Sequence, residues 1–500
     1  MWKISLEGAY MRFAQIMSLA VVPMFLLACG DDNSGFPSNP GQSENPVDQP
    51  KDSIPPNIPD SLLKPITRDF SLIWQGEGSA ENPYQISNEE ELKKLAFYVN
   101  DSSMAFRDKF FKQTADIALT GAWKPIGIFG KNALGYGNRP FSGTFDGNSK
   151  TISGITINDT ASYSGLFGLA RGAKVSNVTI KGAKMNVGSI AGVLVGLADS
   201  VTVENCTIDN AEIKGADRVG GLLGEAKYVT VTNVSVSGSV SGSNNIGGIL
   251  GSVQNGALTN LTNTATVAGK STVGGVVGGS SAVGDAGSIS SAMNKGTVSG
   301  TKDVGGVIAT LSNTKFEKSG NTGAVSADES QLGNVGGVIA VASNKSSVNE
   351  VFNTGSVTVA KVMAAGGVIG SLKAVTATNL FNLGEVSGQA SNIGGLVGIV
   401  DGSANLESAY NAGKVPDSNL SGTVAGKVTA AATVKNVYFD KTVGGPCLVV
   451  ASQMGMELPT GFATEEIKTS TFVSTLNGAG AVWSIDPAKF SGYPSFSWAN

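Results

Sequence analysis

Hydrophobic positions recur along most of the chain as one aliphatic residue, two small residues, two aliphatic residues and a glycine or alanine. Clear copies span residues 187–192, 219–224, 246–251 and 273–278. Further copies begin at Val304, Val335, Ala365 and Ile393, with weaker ones at Tyr163 and Leu420. The ten copies are about 29 residues apart on average. A fixed period of this length is the mark of a repeat architecture.

A second pattern lies 10 to 20 residues after each first one. Residues 231–236 alternate apolar and polar side chains, which predicts a strand, and the segment is rich in Val and Thr. Later copies carry an Asn-x-Gly motif that begins at Asn294, Asn321, Asn353, Asn382 and Asn411. Because Asn and Gly tolerate positive φ, these motifs predict corners that recur in every unit.

The two patterns predict an all-β fold, a parallel right-handed β-solenoid with one coil per repeat. A unit this short cannot bury both faces of its strands unless it stacks on its neighbours. Ten coils at ~4.8 Å would form a rod of roughly 50 Å, with the corner asparagines forming a ladder of amide hydrogen bonds. A β-propeller is the alternative, but its blades need about 40 to 50 residues.

Helical patterns occur outside the repeats, at Glu89–Asn100 and at 464–476. The first has a capping box predicted at Ser87 and Glu90 and is expected to cap the N-terminal end of the solenoid. The second is expected to pack near its C-terminal end, since open strand edges invite aggregation. The repeats occupy 161–440, preceded by an N-terminal cap and first coils at 70–160 and followed by a C-terminal capping segment at 441–500.

The N-terminal residues predict a targeting segment and a tether. Arg12 precedes an apolar run at 16–28, which is too short to span a bilayer. Residues 31–65 hold eight of the 17 prolines, which predicts a disordered, extended tether over 29–69. Met11 is an alternative start to Met1.

Residues 26–30 (Leu-Leu-Ala-Cys-Gly) resemble the bacterial lipoprotein signal. The resemblance implies a signal peptide at 1–28, cleavage before Cys29, and lipid attachment (palmitate among the acyl chains) at Cys29. Residues 30–32 (Gly-Asp-Asp) resemble the acidic signals that send some Bacteroidota lipoproteins to the outer face of the outer membrane. The expected partner is therefore the membrane, through Cys29, and the expected location is the outer membrane, at the cell surface of a Gram-negative bacterium. An ordinary secretory signal peptide and a neutral polar spacer are the alternatives.

The repeats themselves resemble the GLUG motif, most closely at residues 395–398 (Gly-Leu-Val-Gly). The flanks also resemble this family, at residues 76–86, 110–117, 141–148, 483 and 492–494. The resemblance covers about residues 70 to 500 and implies a secreted or surface-attached, adhesin-like bacterial protein. The family motif also occurs beside the protease domain of immunoglobulin A proteases, but the HExxH motif of that domain requires histidine, which this chain lacks.

Composition restricts the chemistry further. The absence of histidine excludes Ser-His-Asp and Cys-His nucleophile pairs. A net charge of −4 and only six arginines, none after Arg218, indicate that nucleic acid is not a partner. The sequence contains neither an Asp-x-Asp-x-Asp-Gly loop nor a Cys-x-x-Cys pair, the motifs that would indicate a metal site. We expect no cofactor, and we expect Cys206 and Cys447 to be buried, inert thiols.

Several β-solenoids act on polysaccharides, so carboxylates in the repeats are the candidates for catalysis. They include Asp199, Glu204, Asp209, Glu212, Asp217 and Glu225. We expect them to be solvated surface charges. Residues 161–440 hold only nine aromatic residues and no Trp, which leaves few platforms for a glycan. Phe352, Phe381 and Tyr410 occupy equivalent positions and are expected to stack in the core.

The sequence therefore predicts a lipid-anchored surface β-solenoid that is not an enzyme and has no catalytic, cofactor-binding or metal residues. Its expected role is adhesion, with a protein or glycan ligand bound on a face of the solenoid. The alternatives are a carbohydrate-active β-helix enzyme, a lyase or glycoside hydrolase, and a structural spacer of the cell envelope. A carboxylate pair about 5 to 10 Å apart in a groove would favour the enzyme.

Overall fold

Alternating apolar residues and small-residue bends wind the repeats into a β-solenoid, as the sequence predicted. The structure is a computed structural model. It describes residue 70 and residues 72–130, 137–160, 162–443, 450–452, 458–478 and 480–499, which belong to one compact unit, Arg68–Asn500. The predicted signal peptide and tether, with Cys29 and Cys447, lie outside the described residues.

Each full coil has four short strand segments, and each segment pairs in parallel with its equivalents in the coils before and after. The first face carries the strands that end at the corner asparagines. Its strands are Tyr84–Ile86, Phe110–Gln113, Thr144–Asp146, Lys174–Ser176, Thr202–Lys214, Thr230–Ser241, Ala257–Asn263, Gly287–Asn294, Thr314–Asn321, Ser347–Asn353, Thr376–Asn382, Asn405–Asn411, Thr433–Asp440 and Thr460–Phe462. In the early coils it is extended by Ile117–Ala118, Thr151–Ser153 and Thr179–Lys181.

The second and third faces continue each coil on either side of a bend. The second has Thr156–Asp159, Lys184–Val187, the ends of Thr202–Lys214 and Thr230–Ser241, then Thr266–Ala268, Val298–Gly300, Val325–Ala327, the start of Val357–Gly366, and Val386–Ala390. The third has Ala191–Gly192, Asp217–Gly220, Asn244–Gly247, Ser271–Gly274, Lys302–Gly305, Ser330–Gly336, the end of Val357–Gly366, Ile393–Gly394 and Ser421–Gly422.

The fourth face is a separate eleven-stranded parallel sheet. Its strands are Phe167–Arg171, Val195–Asp199, Leu223–Lys227, Leu250–Gln254, Val277–Ser281, Ile308–Ser312, Ile339–Ser343, Ile369–Lys373, Val397–Asp401, Ala425–Val428 and Val450–Ser452. The first face carries fourteen of the described strands, counted without the extensions. The stack is therefore longer than the ten repeat coils, because the first coils expected at 70–160 and the strands Val450–Ser452 and Thr460–Phe462 also join it.

Inward-facing aliphatic side chains fill the solenoid. One column of residues on the first face pairs coil to coil, and its members are at most 1% exposed: Val231, Leu258, Ile289, Phe316, Val348, Ala377 and Leu406. Full burial of each of the larger side chains contributes roughly 1.5–3 kcal/mol. The strand predicted over 231–236 is thus confirmed, with Val231, Val234 and Val236 in the core, but a positive φ at Asn233 (56°) interrupts the strict alternation.

The phase of one repeat was wrong. The structure pairs Val195 with Phe167 on one side and with Leu223 on the other, at intervals of 28 residues. The equivalent of 219–224 is therefore 191–196, where Val193 stands for the second glycine, and the copy proposed at 187–192 is out of register. The mistaken copy matched the pattern only because small and aliphatic residues are frequent in both stretches.

The predicted asparagine ladder is present inside the solenoid. The Nδ2 atom of each corner asparagine donates to the Oδ1 atom of the next at 2.8–2.9 Å, through Asn263, Asn294, Asn321, Asn353, Asn382 and Asn411. These six side chains are at most 1% exposed. Each Nδ2 atom also donates to the carbonyl oxygen two residues later in its own chain corner. The buried amides therefore provide hydrogen bonds both to the backbone of the corner and to the asparagines of neighbouring coils.

The reason given for the corners was wrong, however. Positive φ occurs three residues earlier, for example at Glu350 (55°) and Asn379 (56°), and not at the corner residues. The corner glycine is needed because the coils approach closely. A Cβ atom on Gly355 would lie 1.9 Å from the carbonyl oxygen of Gly323 in the preceding coil.

Helix α1 spans Glu89–Asn100, as predicted, and covers the core at the first coils. Its buried face includes Leu92, Leu95 and Val99, all 0% exposed. Its N-cap is Asn88, whose side chain accepts from Glu91 N at 3.0 Å. The predicted capping box at Ser87 was one residue too early, although Ser87 N does donate to Glu91 Oε2.

The C-terminal helical pattern forms two helices, α2 at Thr464–Ile467 and α3 at Ser470–Asn477. A short antiparallel pair follows, Trp483–Ser484 with Ser495–Phe496. Short 3-10 helices lie at Phe490–Gly492 and Ser497–Ala499. We call residues 464–499 the C-terminal strap.

The strap packs along the outside of the first face. The corner Asn353 points inward, so its neighbour Phe352 points outward. The rings of Phe352, Phe381 and Tyr410 stack on one another at 5.2 and 5.6 Å and join a second hydrophobic cluster with strap residues such as Trp483. The predicted aromatic stack is therefore present, but it lies outside the coil and under the strap, not in the solenoid core.

Candidate functional site

Of the three cysteines, Cys206 is the one that lies within the described residues. The lipid-attachment residue Cys29, like Cys447, is outside the described ranges. Cys206 is buried inside the first face and free. Burial raises the pKa of its thiol to about 12, so it stays protonated at neutral pH and is a poor nucleophile.

The carboxylates considered for catalysis lie on the surface of the early coils. Several form ion pairs between neighbouring coils, Asp199 with Arg171 at 2.8 Å and Asp209 with Lys181 at 3.6 Å. The others form similar pairs, Glu204 with Lys174, Asp217 with Arg218, and Glu225 with Arg218 and Lys227. Glu212 is exposed beside Lys184 in register. The structure thus distributes them along the coils as surface charges and gathers none of them in the concavities described below.

Two other carboxylates line one concavity of about 690 Å³ on the first coils, Glu81 and Asp146. Asp146 Oδ1 already accepts from Asn148 N at 2.8 Å and from Asn177 Nδ2 at 2.9 Å. These contacts hold the turn after Thr144–Asp146 in place. Asp146 therefore has a structural role, and Lys112 is the basic residue beside it in the same concavity.

A groove of about 530 Å³ lies between the segment before the repeats and the second and third faces. We call it the N-terminal groove. Its lining residues are Ala122, Trp123, Lys124, Pro125, Gly127, Ile128, Phe129, Ile157, Asn158, Asp159, Ser162, Tyr163 and Ser164. A groove of this size, with an apolar wall and a few polar groups, is typical of small-ligand sites.

A stacked aromatic pair forms the apolar wall of this groove. The rings of Phe129 and Tyr163 are 4.4 Å apart, with 26° between their planes. Tyr163 packs against Leu169, Ile190 and Leu197, a small cluster on the outside of the coils. Phe129 is the outer ring and is 41% exposed. The solenoid therefore holds a partly exposed aromatic ring at this groove.

The conformation of Tyr163 follows from the coil geometry. It lies at a bend with a φ of 67°, and Ile190, Arg218, Asn245 and Thr272 also have positive φ at the equivalent position. That bend turns each of these side chains away from the core. In the other coils the position holds smaller or charged residues, so the first coil alone among these carries a ring there.

Polar groups also line the N-terminal groove. Asn158, Asp159 and Ser162 are exposed along it. Asn186 Nδ2 donates to Asn158 Oδ1 at 3.0 Å and so fixes the orientation of that amide. Lys124 Nζ lies 3.4 Å from Asp101 Oδ2, which balances its charge. The groove therefore presents hydrogen-bonding groups with little net charge.

A second groove, of about 530 Å³, lies where the second and third faces meet in the later coils. Val362 and Ile393 form its floor, Gln331 and Gln389 line its sides, and Leu420 is 50% exposed at its edge. It contains no aromatic residue. Its apolar floor and amide-lined sides make it a weaker candidate than the N-terminal groove.

The N-terminal groove is only weakly indicated by the sequence. Phe129 precedes the repeats, and Tyr163 stands at the start of a weak copy of the first pattern. The available signal was an aromatic residue at the start of one copy, where the others have an aliphatic residue.

The described residues contain no cluster of three or more Asp, Glu, Cys or His side chains that could hold a metal ion. Within the same ranges, every helix is too short or too polar to span a bilayer.

Comparison with known proteins adds little to this description. The chain matches no family model, and no curated protein is significantly similar to it. Among solved structures, it is similar to one described as "a putative immunoglobulin A1 protease" from Bacteroides ovatus, with 15% identity and a TM-score of 0.28. The alignment covers 85% of this chain and 95% of that one. A likeness of this degree supports no conclusion about the activity of this chain.

Proposed function

We propose that this protein is a lipid-anchored β-solenoid of the Gram-negative cell surface, similar to GLUG-motif proteins, that binds a partner and catalyses no reaction. The observation that carries the binding role is the N-terminal groove, where Phe129 holds a solvent-exposed aromatic ring on a rigid scaffold. The anchor part of the proposal is supported by the lipoprotein-like residues around Cys29.

The solenoid suits the presentation of a binding surface. Each coil is hydrogen-bonded to the next on four faces, and the buried amide ladder continues through six coils. Side chains on such a scaffold lose little further conformational freedom when they bind, which favours affinity. A spacer of the cell envelope needs the same rigidity but no groove, so the groove favours binding over the spacer role.

The anchor is tested by labelling with a radioactive fatty acid. Cells that express the full chain should incorporate label into the wild type and into Cys206→Ala, but not into Cys29→Ala. Protease treatment of intact cells should then remove the wild-type solenoid. Label on Cys29→Ala, or complete protection of the wild type from protease, would contradict the proposed anchor or the proposed surface location.

The binding role is tested on the same cells. Wild-type cells should be retained on surfaces coated with mucin or matrix glycoproteins more strongly than cells lacking the protein. Equal retention on every coating, with the protein shown to be at the surface, would refute a role in adhesion and leave the spacer role.

The carbohydrate-active alternative depends on Glu81 and Asp146, which share one concavity. Since Asp146 is held by Asn148 and Asn177, we expect its substitution to affect folding and not turnover. Incubation of the purified chain with polysaccharides should release no reducing ends and no unsaturated products. Release that disappears in both Glu81→Gln and Asp146→Asn would establish the enzyme instead.

A further inference from the structure

The N-terminal groove has a chemistry that identifies its ligand class, and we propose that it binds a pyranose unit of a glycan. This inference rests on the proposed binding function and makes it more specific. The sugar ring would lie against the open face of Phe129, with its hydroxyl groups directed to Asn158, Asp159 and Ser162.

The aromatic wall supplies the apolar half of such a site. The C–H groups on one face of a pyranose carry a small positive charge, and the face of an aromatic ring is negative. Phe129 is held in place by its stack on Tyr163, which is itself packed against Leu169 and Leu197. The platform is therefore preformed, and binding need not order it.

The polar side supplies the other half. An amide, a carboxylate and a hydroxyl lie along the groove at Asn158, Asp159 and Ser162, and together they can both donate to and accept from sugar hydroxyl groups. The hydrogen bond from Asn186 fixes the Asn158 amide. A site built to hydrogen-bond hydroxyl groups discriminates strongly against ligands that lack them.

An extended peptide fits the groove less well, because it would have to add as a strand. The backbone of Thr156–Asp159 is already paired with Lys184–Val187 on one side. On its other side, Thr156 O accepts from Trp123 N at 2.8 Å. At Thr156 that edge is already closed to an added strand, which favours a ligand held by side chains, such as a ring with peripheral hydroxyl groups.

Saturation-transfer NMR on the purified, detergent-solubilised full chain tests the inference. The probes are the methyl glycosides of glucose, galactose, mannose and N-acetylglucosamine. At least one should receive saturation at its ring C–H protons. The transfer should fall at least fivefold in Phe129→Ala and in Tyr163→Ala, and persist in Tyr163→Phe, which keeps the stack.

Phe97→Ala is the matched control, since Phe97 is an exposed phenylalanine (53%) on α1 and lines none of the grooves described above. It should bind like the wild type, and circular dichroism should show that all variants are folded. Absence of transfer to all four glycosides, or equal transfer in Phe129→Ala, would overturn the inference.

The cell-retention assay separates this inference from the proposed function. If wild-type cells are retained and Phe129→Ala cells are retained equally, the protein binds elsewhere, and only the present inference fails. If retention depends on Phe129 while no glycoside binds, the groove accepts a protein, and the inference is again wrong. If the chain binds a glycoside but is not at the cell surface, the proposed function fails and the site stands.

Discussion

Replacing Asn353 by alanine should destabilise the middle of the solenoid severely. Its Nδ2 donates to Asn382 Oδ1 at 2.9 Å and to Gly355 O at 2.7 Å. Its Oδ1 accepts from Asn321 Nδ2 at 2.9 Å and from Gly355 N at 3.2 Å. Alanine makes none of these bonds, and no water reaches a side chain that is 0% exposed.

The magnitude follows from the groups left without partners. The N–H and the carbonyl of Gly355 and one N–H of the Asn321 amide lose their partners, while the other Asn321 N–H still bonds Gly323 O and Asn382 Oδ1 still accepts from Gly384 N. Each of the three buried orphans costs about 1–3 kcal/mol, so the loss is about 3–9 kcal/mol. The space left by the amide adds to this cost, because the coils above and below fix the backbone.

Asn186→Ala is the matched control. Asn186 makes the same kind of bond, an amide to an amide of the preceding coil at 3.0 Å, but on the exposed surface. Water replaces its partner, so the expected cost is below about 0.5 kcal/mol. Urea unfolding followed by circular dichroism gives the midpoints, and hydrogen exchange at Gly323, Gly355 and Gly384 reports the local effect.

Equal shifts of the urea midpoint in the two variants would refute the reasoning. So would unchanged exchange protection at the three corner glycines in Asn353→Ala. Because coils contact only their neighbours, we expect the loss of protection to be greatest within one or two coils of the substitution.

Three further predictions concern the corners and the strap. Gly355→Ala should lower the urea midpoint strongly, because its Cβ would lie 1.9 Å from a carbonyl oxygen; Gly137→Ala, which meets open space, should not. Phe381→Ala should cost about 3–5 kcal/mol and hasten proteolysis of the strap, since the ring is 0% exposed beneath it. Burial raises the pKa of Tyr410, and burial with the hydrogen bond to Asp440 raises that of Tyr493 to about 12. Both hydroxyl groups therefore favour docking below pH 10, and Trp fluorescence should report release of the strap as the pH rises from 10 towards 12.

The period and the ladder could be predicted from the sequence because both depend on residues that recur at the same phase. Asn321, Asn353 and Asn382 are far apart along the chain, and a shared amide at one phase stabilises the fold only if the coils stack in register. The corner glycines also recur at one phase of the repeat and so indicate the same stacking in register. Their true constraint, close approach to the preceding coil, is a contact between repeats that no single repeat contains.

The position of the aromatic stack was predictable in principle. Side chains alternate along a strand, so an inward Asn353 requires an outward Phe352. Burial of that outward ring then required a covering element, and the strap was the segment available. The sequence of 464–499 does not by itself indicate the face of the solenoid on which the strap docks. That face is determined by three rings, which three different coils contribute.

The strap changes how the later coils should unfold. A stack of coils that contact only their neighbours can open from one end, one coil at a time. The strap contacts several coils at once, through Trp498 Nε1 to Glu350 Oε2 at 2.8 Å, Trp483 Nε1 to Asn379 Oδ1 at 3.1 Å, and Tyr493 OH to Asp440 Oδ2 at 2.8 Å. Opening any of these coils disturbs contacts to the others, so they should open as one cooperative unit. The early coils, where the N-terminal groove lies, are joined instead by helix α1 and the aromatic cluster at Trp74. The two ends of the rod are thus stabilised by different elements, and a substitution in the strap should leave the groove intact.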